Sequence, residues 1–382
     1  MKTPEKYSER ELPLDHTIFT TLPDGTLNPN AVGWARQPIQ ISNLRGHALR
    51  KKRWNYWALI TPECLFSVTL SNIDYMGLAF IYFLDFETKR FYEKTAMSLF
   101  GKGCDLPETV EGPIEFNSPE MKLAMDDRGQ AISIFTECPD FGGQKLEAHL
   151  SIERPAGLES LNIMIPWSHN RYHYTSKQNC LATGGTVTVG DRTYTADAAR
   201  DFSCLDFGRG IWKYATFWNW SSFSTRIGSE LVGVNLGAGW TDGSNTTENS
   251  LLIDGKVEKI GEDVIFTYDT QNFMTPWKIK SAFGNQVDLT FTPFYERIAK
   301  TEGVWDDQRF RDQIALLEVD IVALEMLVLR VLSAEKSGKN SLDIAGLLKI
   351  KGSEIQQRYT ELMMLAAGPY SLPFIEEAMN AG

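Results

Sequence analysis

The chain has 382 residues, enough for two or three domains, and its 43% hydrophobic and 23% charged content excludes a disordered or low-complexity protein. A net charge of −11, from 38 basic and 49 acidic side chains, disfavours non-specific nucleic-acid binding. Five scattered cysteines, with no C-x-x-C and no Cys/His cluster at zinc spacing, point to a reduced, cytoplasmic compartment and to no metal centre.

The first residues, MKTPEKYSERELPLDH, contain no apolar signal core. The basic run from Arg50 to Arg53 enters a strand and reads as a solvated edge. The longest uninterrupted apolar stretch, Met76 to Leu84, is too short to span a bilayer, so no transmembrane segment is expected. YFLDFETKRFYEK reads as strand, turn at Glu87-Thr88, strand. In LEAHLSIE, Leu146, Ala148, Leu150 and Ile152 face one way and the polar residues the other, the period of a half-buried strand. Gly190-Asp191 and Asp254-Gly255 each separate two such runs and predict hairpins. Val287, Leu289 and Phe291 alternate again in VDLTFTPF. Helix-period segments are hard to find before residue 300. The body therefore predicts mainly antiparallel β structure, a barrel or a sandwich. RWNYWALITPECLFSVTL and FWNWSSFSTRIGSELVGVNL both open on paired tryptophans and hint at an internal duplication.

Three stretches hold residues able to carry chemistry. In PWSHNRYHYTSK, His169 and His173 are i, i+4, but a strand or loop gives that spacing no common face for a metal, and no third ligand is present. His173 stays a candidate for proton transfer. In DFSCLDFGRGIWKYATFWNWSSF, Gly208 and Gly210 flank Arg209 and permit close approach, and Asp206 is placed to orient the guanidinium. Trp212, Trp218 and Trp220 supply an aromatic wall, the last two on one side of a strand. This set suits an apolar ligand with one polar or anionic end; an ion pair closing one end of a barrel is the equal alternative. In NLGAGWTDGSNTTEN, Glu248 is the best carboxylate for acid–base work and Asn235 a group to orient a carbonyl or hydroxyl, against the plainer reading of a polar loop. Phosphate-binding loops, nucleophile elbows and dinucleotide fingerprints are absent. The sequence leaves open whether the protein is an enzyme.

After Thr301 the period changes. Ile314, Leu317, Ile321, Leu324 and Val328 step by three and four along one helix, capped by Asp306 or Asp307 and stopped at Gly338. A second helix opens near Ser341–Asp343 and runs toward Ala367, with Ile355, Tyr359, Leu362 and Ala366 as its stripe. The pair is too apolar all round to stand alone, so 306–367 is expected to need the β part, a helical partner or self-association.

NPNAVGWAR, KKRWNYWALITPECLFSVTLSNIDYMGLAFIYFLDF, TSKQNCLATGGTV, LDFGRGIWKYATFWNW, TENSLLIDGKVEKI and TPWKIKSAFGNQVDLTFTPFYER, in that order, resemble a bacterial family known only as a domain of unknown function. That family is similar to tandem lipocalin-like proteins, a group with carotenoid hydratases and tocopherol cyclases. The resemblance implies two lipocalin-like antiparallel barrels, 1–165 and 166–301, and an apolar, lipid- or isoprenoid-like ligand in a Trp-lined barrel cavity. It supplies no catalytic residue and no cofactor.

RDQIALLEVDIVALEMLVLRVLSAEKSG and DIAGLLKIKGSEIQQRYTELMMLAAGPYSLPF resemble part of the C-terminal helical domain of acyl-CoA dehydrogenases over 302–382, with Gly346 at a common serine position. This resemblance implies the alternatives: a flavoprotein oxidising a CH–CH bond with FAD, or a docking protein for such an enzyme. The glycine-rich flavin segment of that family is missing, so no FAD is expected. Both resemblances are incomplete near Thr301. The expectation is a second barrel left open near Val287–Phe294, from recombination or truncation rather than an evolved bifunctional enzyme.

Overall fold

A computed structural model of the protein describes residues 3–213 and 216–296, then 308, 311–317, 319–321, 323–324, 326, 348, 350–355 and 357–358. The chain divides into two compact units, Met1–Tyr295 and Glu296–Gly382.

The first unit is built of β1 (Ile18–Phe19), β2 (Trp34–Ala35), β3 (Gln40–Ile41), β4 (Lys51–Ile60), β5 (Cys64–Asn72), β6 (Met76–Asp85), β7 (Phe91–Leu99), β8 (Gly112–Asn117), β9 (Lys122–Asp127), β10 (Ala131–Cys138) and β11 (Leu146–Glu153). It continues with β12 (Leu161–Ser168), β13 (Arg171–Val189), β14 (Arg192–Ala196), β15 (Phe202–Ile211), β16 (Asn219–Ile227), β17 (Glu230–Ala238), β18 (Ser250–Ile253), β19 (Lys256–Lys259), β20 (Val264–Thr267), β21 (Trp277–Ser281) and β22 (Asp288–Phe291). Thirteen of these form one antiparallel sheet, with the main path β7-β6-β5-β4-β15-β13-β11-β10-β9-β8. The hairpins at Glu87-Thr88, Gly190-Asp191 and Asp254-Gly255 form as the turn chemistry predicts, Asp254 and Gly255 both at positive φ.

The long strand β13 is the spine. Its first half pairs with β12 and β15, its second half with β11 and β14. A register shift between Gln178 and Leu181, with Cys180 at φ 58°, kinks it and bends the sheet. The curl brings β14 back to the end of β6, where Asp85 accepts from Tyr194 Oη at 2.6 Å and Arg192 Nη1 at 2.8 Å. The concave side is closed by packing. Trp57, Phe66, Val68 and Ile81 from one half share a single buried cluster with Ile114, Phe116, Ile134 and Ile152 from the other. The interior of this half-barrel is filled with side chains.

Among the described residues the strands after β15 do not close a second barrel. β16–β19 form a four-stranded sheet and β20–β22 a three-stranded one. Among the described residues β22 pairs with β21 alone, which leaves an edge within the expected Val287–Phe294 region. Residue 165 lies inside β12, which pairs with β13 on one side and β2 on the other.

In the second unit every described residue from 308 to 358 is helical. Arg358 Nη1 lies 3.4 Å from Asp320 Oδ2 and links the two helical segments. The expected caps at Asp306 or Asp307, the stop at Gly338 and the restart at Ser341–Asp343 lie outside the described residues. No helix among the described residues is long and apolar enough to cross a membrane.

Candidate functional site

Alternation along a strand sends successive side chains to opposite faces, and register lines them up across neighbours. One row crosses five strands on the face away from the packed interior: Lys177 (β13), Asp206 (β15), Tyr56 (β4), Thr69 (β5) and Phe80 (β6) are successive partners. The next row holds Thr175, Gly208, Trp54 and Ser71. Gly208 is the seat of Trp54, because a Cβ there would come 2.2 Å from the indole Cζ2. Gly210 gives His173 the same clearance, at 2.4 Å from Nδ1.

A second layer covers this face. Trp220 comes from β16, Trp240 and Glu248 from the loop between β17 and β18, and Trp212 and Trp218 from the link after β15. Between the layers lies a cleft of about 450 Å³, walled by Trp54, Tyr56, Phe80, Tyr82, Trp212, Trp218, Trp220 and Trp240. That volume falls in the usual range of small-molecule sites. The cavity expected inside a barrel is thus corrected: the interior is packed, and the open space is on the outer face of the large sheet.

Three charged groups meet at the polar end. Lys177 Nζ lies 2.8 Å from Asp206 Oδ1 and 2.9 Å from Glu248 Oε2. Glu248 Oε1 accepts from Trp240 Nε1. Lys177 and Glu248 are buried, while Asp206 keeps 18% of its side chain exposed toward the cleft. Burial works against the Lys177 ammonium, but Asp206 and Glu248 outweigh it and hold it above the usual lysine range. Burial pushes the Glu248 carboxyl above the ordinary carboxylate range, although Lys177 pulls it partly back. Tyr56 and Tyr82 share a hydrogen bond between their hydroxyls, and burial pushes the Tyr56 phenol well up.

The expected residues separate into two groups. Asp206, Trp212, Trp218, Trp220 and Glu248 line the cleft. Arg209, Asn235 and His173 do not. Asp206 and Arg209 are three apart on β15 and so point to opposite faces, which corrects the expected Asp206–Arg209 pair. Arg209 is buried on the core side and donates to the carbonyls of Pro107, Trp54 and Gly208 and to Asn55 Oδ1. Asn235 has both ends committed. Its Oδ1 accepts from Trp220 Nε1 at 2.9 Å and its Nδ2 donates to the Glu248 carbonyl at 2.6 Å, so it positions a wall residue and the carboxylate.

His173 is sealed behind the wall. It stacks on Trp54 with centroids 4.8 Å apart and accepts from Trp212 Nε1 at 2.9 Å through Nδ1. An indole N–H only donates, so the neutral ring carries its proton on Nε2. Burial, with Lys177 and Arg209 adding positive charge, holds its pKa well below 6.5. The unfolded chain therefore takes up this proton first. Stability is complete above about pH 6.5 and falls by about 1.4 kcal/mol per pH unit below it, until the folded histidine titrates. His173→Phe should flatten that slope in urea melts taken from about pH 6.5 to about pH 5. An unchanged slope would assign the acid sensitivity to another group.

Lys177 is the charged group of this cleft that the sequence does not single out, and Trp54, Tyr56, Phe80 and Tyr82 join the wall unannounced as well. The lysine follows His173 and Thr175 at period two on one strand face, and that spacing was the available signal. The N-terminal segment anchors the neighbourhood. Glu9 Oε1 accepts from the Thr247 amide at 2.7 Å, Glu9 Oε2 pairs with buried Lys259 at 2.6 Å, and Tyr7 N donates to the Gly261 carbonyl.

A family model described as a domain of unknown function (DUF2804) matches residues 13–311, and one described as acyl-CoA dehydrogenase, C-terminal domain, matches residues 281–380. No curated protein matches the chain. Solved structures similar to the chain include a Nitrosomonas europaea protein described as AttH, at 10% identity and TM-score 0.43, covering 65% of this chain and 81% of its own, and kievitone hydratase from Nectria haematococca, at 12% identity and TM-score 0.42, covering 78% and 87%.

Proposed function

The chain belongs to this family of unknown function, and we propose that it binds an apolar, lipid- or isoprenoid-like small molecule in the tryptophan-walled cleft, with a neutral hydroxyl at the ligand's polar end. The observation that carries this reading is the Asp206–Lys177–Glu248 set at one end of an aromatic cleft. An anionic head would need a cation with charge to spare. Lys177 is already met by two carboxylates, so a carboxylate or phosphate head would add a third negative group in a desolvated place. A hydroxyl instead donates to the exposed part of Asp206, a charge-assisted bond that leaves the pair intact.

The same groups suit proton transfer. Glu248 is buried and faces the cleft, and burial pushes its carboxyl up against the pull of Lys177, the direction that suits a group exchanging a proton with a bound ligand. Glu248→Gln keeps the shape and removes the titratable proton. It should keep ligand binding and abolish any turnover; equal loss of both would assign Glu248 a structural role.

Binding is tested by incubating the purified chain with a total lipid extract, isolating it by gel filtration and identifying what it retains by mass spectrometry. Neutral hydroxylated apolar molecules are expected. Asp206→Asn should weaken their binding by about 1.5–3 kcal/mol, roughly tenfold to a hundredfold. Retention of nothing, or of free fatty acids in preference to alcohols, would overturn the reading.

A further inference from the structure

The apolar surface of the cleft extends past its lining. On β6 and β7 the row of Phe80 and Thr95 is followed by Leu78 and Met97, then by Met76 and Leu99, all on the cleft's face of the sheet. Met97 is 69% exposed and Leu99 76%. Phe100, in the turn that follows, is 73% exposed, and Tyr75 and Leu49 at the same end of the sheet are exposed as well. Hydrogen bonds hold this corner together: Phe100 N donates to the Tyr75 carbonyl at 2.9 Å, and Lys52 Nζ donates to Tyr75 Oη at 3.1 Å. Several large exposed apolar side chains beside one cleft mark an interaction surface rather than scattered exposure.

The charge there is opposite to that of the chain. The end of the sheet carries Arg50, Lys51, Lys52 and Arg53 at the start of β4, and exposed Lys102 after β7. Asp74 faces them and takes Lys51 at 3.5 Å and Arg53 at 2.9 Å. Lys52 has no carboxylate at ion-pair distance among the described residues and lies over the Tyr75 ring. A basic, apolar-tipped corner on a chain of net charge −11 fits a negatively charged surface with an apolar interior. We infer that this end of the sheet docks on an anionic lipid bilayer, with Met97, Leu99 and Phe100 entering the headgroup boundary and the lysines and arginines meeting the phosphates. The inference rests on the reading that the cleft takes an apolar ligand. Such a ligand dissolves poorly in water, and the exposed strip on β6 and β7 joins the cleft to the membrane that stores it. Burial of a few apolar tips plus attraction of basic side chains to anionic lipid is the usual composition of reversible interfacial binding.

The test is flotation of the full chain with phosphatidylcholine vesicles, with and without phosphatidylserine. Binding is expected only with phosphatidylserine and should weaken with salt. Lys52→Glu should weaken it roughly tenfold, and Leu99→Asp with Phe100→Asp should abolish it while the melting temperature stays unchanged. Asp206→Asn, which acts in the cleft, should float like the parent chain. A chain that floats but retains no lipid keeps the docking surface and rejects the cleft's ligand. No flotation with phosphatidylserine, flotation unaffected by the Leu99 and Phe100 changes, or self-association through this corner in place of vesicle binding would overturn the inference.

Discussion

Lys177→Met is expected to cost about 3–5 kcal/mol of stability in urea unfolding, far more than the loss of a surface lysine. The side chain is 6% exposed and is the charge that Asp206 and Glu248 are folded around. Methionine conserves the length of the stem and removes the ammonium, together with its place over the Trp220 and Trp240 rings at 5.5 and 6.0 Å, so the loss reports on the charge. Two carboxylates would then face each other without a cation, and one would hold its proton. The sign of the pH dependence follows. With the folded Glu248 carboxyl raised by burial and no longer pulled back by Lys177, the variant's folded state binds more protons than its unfolded state. Its stability would fall as pH rises from about 4.3 through the raised values, so the deficit against the parent widens with pH. Adding Glu248→Gln removes one of the two stranded carboxyls. The double variant should recover much of the loss, a coupling that distant sites do not show. A cost below about 1 kcal/mol at neutral pH would mean that water screens the pair as at a surface, and the polar end of the cleft would not be desolvated.

The parts of this architecture that were legible are those set by local chemistry. The alternation in LEAHLSIE became β11 with Leu146, Ala148, Leu150 and Ile152 all buried, and the Asp254-Gly255 pair made its hairpin. The tryptophans of β16 and its preceding link did line a cleft. What was not legible depends on which strand lies beside which. Lys177 and Asp206 become partners only because β13 and β15 pair in one register, and Glu248 joins them from a loop after β17. The layering was missed for the same reason. Period two says that a strand has two faces, but not which face turns to a packed interior and which to a second sheet. The separation of Asp206 from Arg209 is itself written in the sequence, because an odd spacing on a strand sends side chains to opposite faces. Gly208 and Gly210 did signal close approach, of the protein's own Trp54 and His173 rather than a ligand.

That close approach gives the other large expected effect. Gly208→Ala should destabilise the protein by about 1–3 kcal/mol and weaken apolar-ligand binding at least about tenfold, because the cleft wall is built on the missing Cβ. The new methyl would sit 2.2 Å from Cζ2 and 2.3 Å from Cε2 of Trp54, well inside contact distance. The indole cannot yield by sinking, since the sheet lies beneath it. It cannot slide freely either, since His173 stacks on it and Trp212 meets it edge-on at 5.5 Å. It must lift toward the cleft and take up ligand volume. The cost is therefore shared between strain and lost space, and the two separate in a cycle with Trp54→Ala. With the indole gone the methyl has nothing to strike, so the double variant should be no less stable than Trp54→Ala alone. Gly184→Ala on β13 is the control. Its nearest neighbour would be Ala198 Cβ at 3.8 Å, an ordinary contact, and it should change neither stability nor binding. A neutral Gly208→Ala would show that Trp54 is not held flat on the strand. The wall of the cleft would then be adjustable, and selection of the ligand would fall to the polar end at Lys177, Asp206 and Glu248.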